Sequence, residues 1–268
     1  MKKPFLIPII LVALLTGCEP TLVSEFNDRP VVEGFLHEGQ PPVITISKLI
    51  PFKDDVDFST EDVDKLSITL TDENDKTDYL LASKGDGKYS SESILAKEGH
   101  EYSISFTYGD LPVSAKTEIP AKPQNMKISA TTITIGGFQG MSQATKADPM
   151  DQLEVTWDNP DNSYYVVAVI NEEAEPKQIW NNDTPPDTAF QLDPTNGSSV
   201  QIPSRSFSYY GKHKIVLLKI QPEYLIMCQA SGNSSGSLTE VIANVKNGFG
   251  IFTGINSDSK SIRVYQNY

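Results

Sequence analysis

The sequence predicts an all-β protein, because short runs of β-branched and aromatic residues recur along it, separated by turn residues about every eight to twelve positions. Residues 66–71 and 102–108 alternate apolar and polar side chains, which is the period of a strand with one buried face. Between residues 30 and 120, no run repeats with the period of an amphipathic helix. The length accommodates two tandem β-sandwiches.

The first of these domains is expected at residues 30–121. About six or seven short strands fit there, including the runs at residues 31–36, 43–47 and 111–119. This number and spacing of strands are typical of an immunoglobulin-like sandwich. Prolines at positions 120 and 123 then predict a linker.

The second domain is expected at residues 125–268. A run that ends in Trp157, a turn with Pro160 and a tyrosine-rich run at residues 163–170 resemble the second and third strands of fibronectin type III modules. The polar, proline-bearing residues 171–208 predict an inserted loop with little regular structure. Further strands are predicted at residues 214–220 and 223–229 and, to end the fold, at residues 248–254 and 261–265.

The N-terminus predicts a bacterial lipoprotein. Residues 1–17 combine a basic start with a short apolar run, as in a secretory signal peptide, and the run is too short to span a bilayer. Leu15-Thr16-Gly17-Cys18 matches the lipobox, so we expect cleavage before Cys18, its acylation, and a tether at residues 18–29. Glu19 favours the outer membrane by the enterobacterial sorting rule, and the membrane face stays open. The alternative is an ordinary signal peptide that happens to stop near a cysteine.

The composition restricts the class of partner. The formal net charge of the chain is −13 and becomes about −15 once Lys2 and Lys3 leave with the signal, which argues against binding to nucleic acid. With Cys18 consumed by lipid, Cys228 is the single remaining cysteine, so no intrachain disulfide is expected. Cys228 lies in an apolar run, which predicts a buried and inert thiol.

No catalytic residue, metal site or cofactor is predicted. Residues 232–236 match Gly-x-Ser-x-Gly, but the three histidines, at positions 37, 100 and 213, all precede the serine, whereas a nucleophile elbow needs a later histidine. Their spacing fits no zinc motif, and His100 is expected in an exposed turn. Asp72-Glu73-Asn74-Asp75 is expected to be a solvated loop; adventitious calcium binding is the alternative, although the spacing differs from that of a twelve-residue calcium loop.

Two residues of the insertion are candidate sites for ligand or modification. Trp180 lies beside amides and a carboxylate, a set that stacks on and hydrogen-bonds a sugar ring; the alternative is that its ring covers its own loop. Thr188, in Asp187-Thr188-Ala189, resembles the site at which Bacteroidota attach O-glycans.

Three segments resemble a lipoprotein family known as domain of unknown function 4249. They are residues 31–35 followed by 41–47, residues 158–160 followed by 163–165, and residues 242–252. The resemblance implies a lipoprotein of Bacteroidota encoded beside TonB-dependent outer-membrane transporters, with no established catalytic residues.

We therefore expect a non-enzymatic accessory or binding partner of such a transporter, anchored in the outer membrane. The alternative function is a free-standing surface lipoprotein that captures glycans or peptides, with Trp180 as the platform.

Overall fold

The computed structural model describes residues 28–49, 62–136, 152–180, 183–232 and 244–267. The signal peptide, Cys18 and most of the tether lie outside these ranges. The described elements are β1 (Pro30–His37), β2 (Val43–Lys48), β3 (Ile68–Asp72), β4 (Thr77–Gly85), β5 (Lys88–Ser90), β6 (Glu101–Tyr108), β7 (Leu111–Glu118), β8 (Gln124–Ile128), β9 (Thr132–Gly136), β10 (Gln152–Asp158), β11 (Tyr164–Asn171), β12 (Ala189–Gln191), β13 (Ser199–Pro203), β14 (Gly211–Ile220), α1 (Pro222–Gly232), β15 (Val245–Lys246) and β16 (Phe249–Asn267). The chain is all-β as predicted, apart from one helix and two 3₁₀ turns in the described ranges.

The first sandwich contains β1 to β7. One sheet has the order β16-β1-β2-β5, where only the first half of β16 takes part, and the other has the order β3-β6-β7-β15. β4 connects the two sheets, because it pairs with β3 up to Leu81 and with β5 from Ala82, with a register shift between Ser83 and Gly85. The alternating strands bury their apolar side chains between the sheets, and this first core includes Leu36, Ile44, Leu70, Ile104 and Phe252.

The second sandwich has a larger sheet of β12, β11, β14 and the second half of β16, with β9 also paired to β16, and a smaller sheet of β13, β10 and β8. The tryptophan-bearing strand β10 and the tyrosine-rich strand β11 lie in opposite sheets. The rings of Trp157 and Tyr165 meet between them, with centroids 5.3 Å apart. Their burial in the second core agrees with the fibronectin-like pattern in the sequence.

One strand belongs to both sandwiches. β16 pairs in parallel with β1 from Phe249 to Ile255 and then antiparallel with β14 from Ile255 to Val264. β15, just before it, pairs with β7 of the first sandwich. The division predicted at residues 121–125 assigns residues 245–255 to the second domain; in the structure these residues pair with strands of the first sandwich and place Val245 and Phe252 in its core.

The strand predicted at residues 223–229 is wrong, because these residues form α1. The run is apolar without alternation, so periodicity does not separate strand from helix, and a proline at the first helical position favours the helix. Tyr224 is buried, and its ring meets that of Phe35 edge-on at 6.2 Å. α1 thus covers the outer face of β16 at Ile251 and Ile255, where the two sandwiches meet. No helix in the described ranges is long and apolar enough to cross a membrane.

The segment at residues 171–208 has more regular structure than predicted. Residues 172–180 and 183–188 contain no strand, and the chain then returns along β11 as β12 and forms β13 beside β10. Ile202 and Phe207 are fully buried in the second core. The prediction of little regular structure therefore fails for the second half of the segment, because its apolar residues complete both sheets.

Candidate functional site

The predicted ligand residue Trp180 lies against its own domain. Its side chain is half-buried, contacts the second core, and donates a hydrogen bond from Nε1 to the carbonyl oxygen of Phe207 at 3.2 Å. This is the arrangement expected when the ring covers its own loop. Asn181 and Asn182 lie outside the described residues, so the sugar-binding set around Trp180 stays a prediction.

Thr188 lies on the surface together with Asp187 and Ala189. Its backbone carbonyl accepts a hydrogen bond from the backbone of Asn171 at 2.8 Å, which fixes the segment at the end of β11. The side chain is open to a modifying enzyme, and its glycosylation remains a prediction.

The remaining candidates from the sequence are Cys18, the Gly-x-Ser-x-Gly match and Cys228. Cys18 and residues 233–236 of the Gly-x-Ser-x-Gly match lie outside the described residues. Cys228 is half-buried in the apolar cluster around α1, and burial raises the pKa of its thiol, which keeps the thiol protonated and weakly reactive.

The acidic turn after β3 is only partly the solvated loop predicted from the sequence: Asn74 and Asp75 are exposed, but Asp72 is not. Asp72 is fully buried, and its Oδ1 accepts hydrogen bonds from the backbone of Asn74 and of Asp75, both at 3.1 Å. Nδ1 of His100 lies 2.9 Å from Oδ2 of Asp72, so His100 is not the ordinary exposed residue expected. Asp72 takes the inward-facing position at the end of β3, where the backbone of its own turn and His100 supply its hydrogen-bond partners.

The same turn brings together three groups that bind cations. Ligand atoms of Asp72, Asp75 and His100 all lie within 4.8 Å of one another. Burial pushes the pKa of Asp72 upward, but hydrogen bonds from Asp75 and His100 outweigh it and hold the pKa below its usual range. Lys97 Nζ lies 2.5 Å from Asp75 Oδ2, so the ammonium group of Lys97 already forms an ion pair with the Asp75 carboxylate.

Sequence reasoning missed a hydroxyl-rich surface on the first sandwich. Thr69, Ser105, Ser114 and Lys246 are direct cross-strand partners on β3, β6, β7 and β15. They line a shallow depression of about 450 Å³, which we call the hydroxyl face. A second depression of about 370 Å³ adjoins it and shares Ser105, Ser114 and Lys246. The signal in the sequence is the small hydroxyl residue at every second position of residues 103–107.

The hydroxyl face has the chemistry of a polar binding surface. Short side chains leave the sheet accessible, and each hydroxyl group both donates and accepts hydrogen bonds. Lys246 is exposed at one border and makes no ion pair with any described residue. Its neighbour Lys116 lies 3.0 Å from Glu101, so Lys116 contributes little net charge there.

Comparisons with known proteins give a family. A family model described as a domain of unknown function (DUF4249) matches residues 17–261. A crystal structure of DIP-gamma IG1+IG2 is similar over 90% of this chain and 98% of that one, at 11% identity and a TM-score of 0.20. Chicken CNTN1 FN1-FN3 domains are similar over 89% of this chain and 67% of that one, at 10% identity and a TM-score of 0.22. A search of curated proteins gave no match.

Proposed function

We propose, from the premise that this chain belongs to the DUF4249 family, that it is a non-enzymatic lipoprotein of the bacterial outer membrane and an accessory or binding partner of a TonB-dependent transporter. The lipobox at residues 15–18 supports the anchor. The match to the family begins at residue 17, directly beside Cys18. Two or three acyl chains, at about 0.8 kcal/mol per buried methylene, hold a protein firmly in a bilayer.

The observation that carries a partner role is the exposed segment at residues 183–188, which we call the tip segment. Asp183, Thr184, Asp187 and Thr188 all expose their side chains. The segment is nonetheless held in place, because Tyr209 donates a hydrogen bond from its hydroxyl to the carbonyl of Pro186 at 2.5 Å. Exposed loops held on a rigid scaffold are the usual location of protein contacts.

The non-enzymatic part of the proposal is supported by the positions of the histidines. His213 is buried in the second sandwich, and His100 faces Asp72 in the first. Each therefore has a structural partner, and the two lie in different sandwiches.

Substitution of the tip segment tests the partner role. The whole of residues 171–208 is unsuitable for deletion, because it includes β12, β13 and the buried Phe207. We would instead change Asp183, Thr184 and Asp187 to serine or alanine and purify the lipoprotein from native outer membranes. The proposal predicts that the transporter found with the wild type is lost from the variant.

A matched control changes exposed side chains of the first sandwich, with Lys84→Ala and Glu92→Ala. This variant should retain the transporter. Equal recovery of the transporter with the tip variant, at unchanged thermal stability, contradicts the partner role of the tip segment.

The second candidate function is free-standing capture of glycans or peptides, which the hydroxyl face favours. Ser114→Tyr would fill the depression from its centre while leaving the buried face of β7 unchanged. Titration calorimetry of the wild type with glycans should then show binding that Ser114→Tyr removes. If glycans give no heat of binding with the wild-type chain alone, the transporter role is favoured.

A further inference from the structure

The chain enters the fold at one end of the first sandwich. Tyr108 donates a hydrogen bond from its hydroxyl to Asp28 Oδ1 at 3.0 Å, and the guanidinium of Arg29 lies 5.9 Å from the centroid of the Phe249 ring. Burial and the nearby Asp28 carboxylate raise the pKa of Tyr108 to about 12, so this hydroxyl stays a donor. We call this the proximal end; it also includes the turn at Gly109 and Asp110.

Only a short length of chain separates the proximal end from Cys18. Ten residue steps connect Cys18 to Asp28. A fully extended chain gains at most about 3.6 Å per residue, so the reach of this connection is at most roughly 36 Å.

The opposite end of the molecule is much farther away. β16 begins at the proximal end with Phe249 and ends at Asn267. At about 3.3 Å per residue, it spans roughly 60 Å. β14 begins beside its far end, with Gly211 opposite Val264, and β11 ends there, with Asn171 opposite His213. The tip segment follows β11 and therefore lies at this distal end.

We infer that the proximal end faces the anchoring bilayer and that the tip segment is held away from it, in an upright molecule. This orientation rests on the lipid anchor at Cys18 proposed above. The connection keeps the proximal end within roughly 36 Å of the anchor, whereas the length of β16 allows the tip segment to lie roughly 60 Å beyond that end. The mature chain carries a net charge of about −15 once Lys2 and Lys3 are removed, so anionic headgroups repel it and favour the orientation with the smallest contact area.

Energy transfer from the protein to the bilayer surface tests the orientation. The acylated full-length protein carries Cys228→Ser, which removes the free thiol of the second sandwich. A donor dye is placed at Asp110→Cys in one variant and at Thr188→Cys in the other, since both side chains are exposed. Each is reconstituted into phosphatidylcholine vesicles that contain some phosphatidylglycerol and an acceptor-labelled lipid.

We expect the dye at position 110 to lose its emission several-fold when the acceptor lipid is present, and the dye at position 188 to remain unchanged within error. Equal quenching, or stronger quenching at position 188, overturns the upright orientation. If Asp110→Cys lowers the thermal stability, Lys246→Cys supplies the proximal site, because its side chain is also exposed and lies two residues before Gly248. Failure of the protein to float with the vesicles overturns the anchor itself, and flotation with equal quenching overturns the orientation alone.

Discussion

Asn244 binds the backbone of Phe252 through both ends of its amide. Its Oδ1 accepts a hydrogen bond from the Phe252 N–H at 2.9 Å, and its Nδ2 donates to the Phe252 carbonyl at 2.6 Å. The same Nδ2 lies 3.2 Å from the carbonyl of Lys116 on β7. Asn244 thereby connects β7 with the start of β16 and closes the first sandwich on that side.

Replacement of Asn244 by alanine should destabilise the first sandwich. It leaves the Phe252 N–H and carbonyl without these partners, which costs about 1–3 kcal/mol. Urea unfolding measures the loss. Lys246→Ala is the control, since that side chain is exposed and two residues away. An equal effect of the two substitutions contradicts the role assigned to Asn244.

Gly250 should tolerate no side chain. Its φ is +96°, and a Cβ there would lie 2.0 Å from the carbonyl oxygen of Val32 on the paired strand β1. Gly250→Ala must therefore push β1 and β16 apart, and we expect a loss of about 3 kcal/mol or more.

Gly39 provides a comparison with the same backbone strain and no clash. Its φ is +72°, and nothing lies within 4 Å of a Cβ built on it. Gly39→Ala should cost only about 1–2 kcal/mol. Melting temperatures of the two variants decide the matter: similar values would show that the clash at Val32 is relieved at little cost.

A fragment of residues 28–121 should not fold by itself. It lacks the strand that pairs with β1, and it lacks Val245 and Phe252 of the first core. Addition of residues 244–256 through a flexible linker should restore the fold. Dispersion of amide resonances in an NMR spectrum distinguishes the two states, and a well-dispersed spectrum from the short fragment would show that the predicted boundary at residue 121 delimits an independent domain.

Acidification should destabilise the second sandwich through His213. Nδ1 of His213 lies 3.1 Å from the Gly211 carbonyl, and Nε2 faces the Asn171 amide nitrogen at 3.2 Å. The carbonyl only accepts and the amide nitrogen only donates, so the neutral ring fits. Burial lowers the pKa of His213 below its ordinary value of 6.5.

The sign of the effect follows from the two protonation states. As the pH falls below about 6.5, the unfolded chain binds a proton that the folded chain does not bind, so the stability present above that pH is lost. His37 acts in the same direction, since burial also lowers its pKa. Urea unfolding near neutral pH and at mildly acidic pH should show a smaller difference for His213→Gln than for the wild type. An unchanged difference would mean that His213 does not contribute.

Tryptophan fluorescence of the isolated chain should not respond to glycans. Of the two tryptophans, Trp157 is buried and Trp180 has its Nε1 bound to Phe207. If the chain instead captures sugars through Trp180, titration will quench the emission, and Trp180→Phe will abolish the quenching. Quenching that persists in Trp180→Phe would instead come from Trp157.

The parts of the fold that depend on local pattern were predictable. Residues 102–108 alternate strictly, and they form β6 with Tyr102, Ile104 and Phe106 inward. Residues 223–229 do not alternate, so their periodicity does not separate strand from helix, and the contact of Tyr224 with Phe35 is not visible in a local pattern. The parallel pairing of Val31 with Phe249 joins residues more than two hundred positions apart, and no local signal marks it.

The candidate site was predicted less well than the fold. Exposure of Thr188 agrees with an accessible threonine, but the hydrogen bond of Trp180 to Phe207 requires knowledge of where residue 207 lies. Burial of Asp72 depends on its own turn and on His100, which is 28 residues away in sequence. The hydroxyl face appears only when β3, β6, β7 and β15 are set side by side.

The shared strand β16 also determines the order in which the protein is completed. β1 is synthesised more than two hundred residues before its parallel neighbour in β16. The first sandwich must therefore wait, with one edge of β1 unpaired, until β16 has been synthesised. A chaperone that shields β1 during this interval should raise the yield of native protein more than one that acts after release.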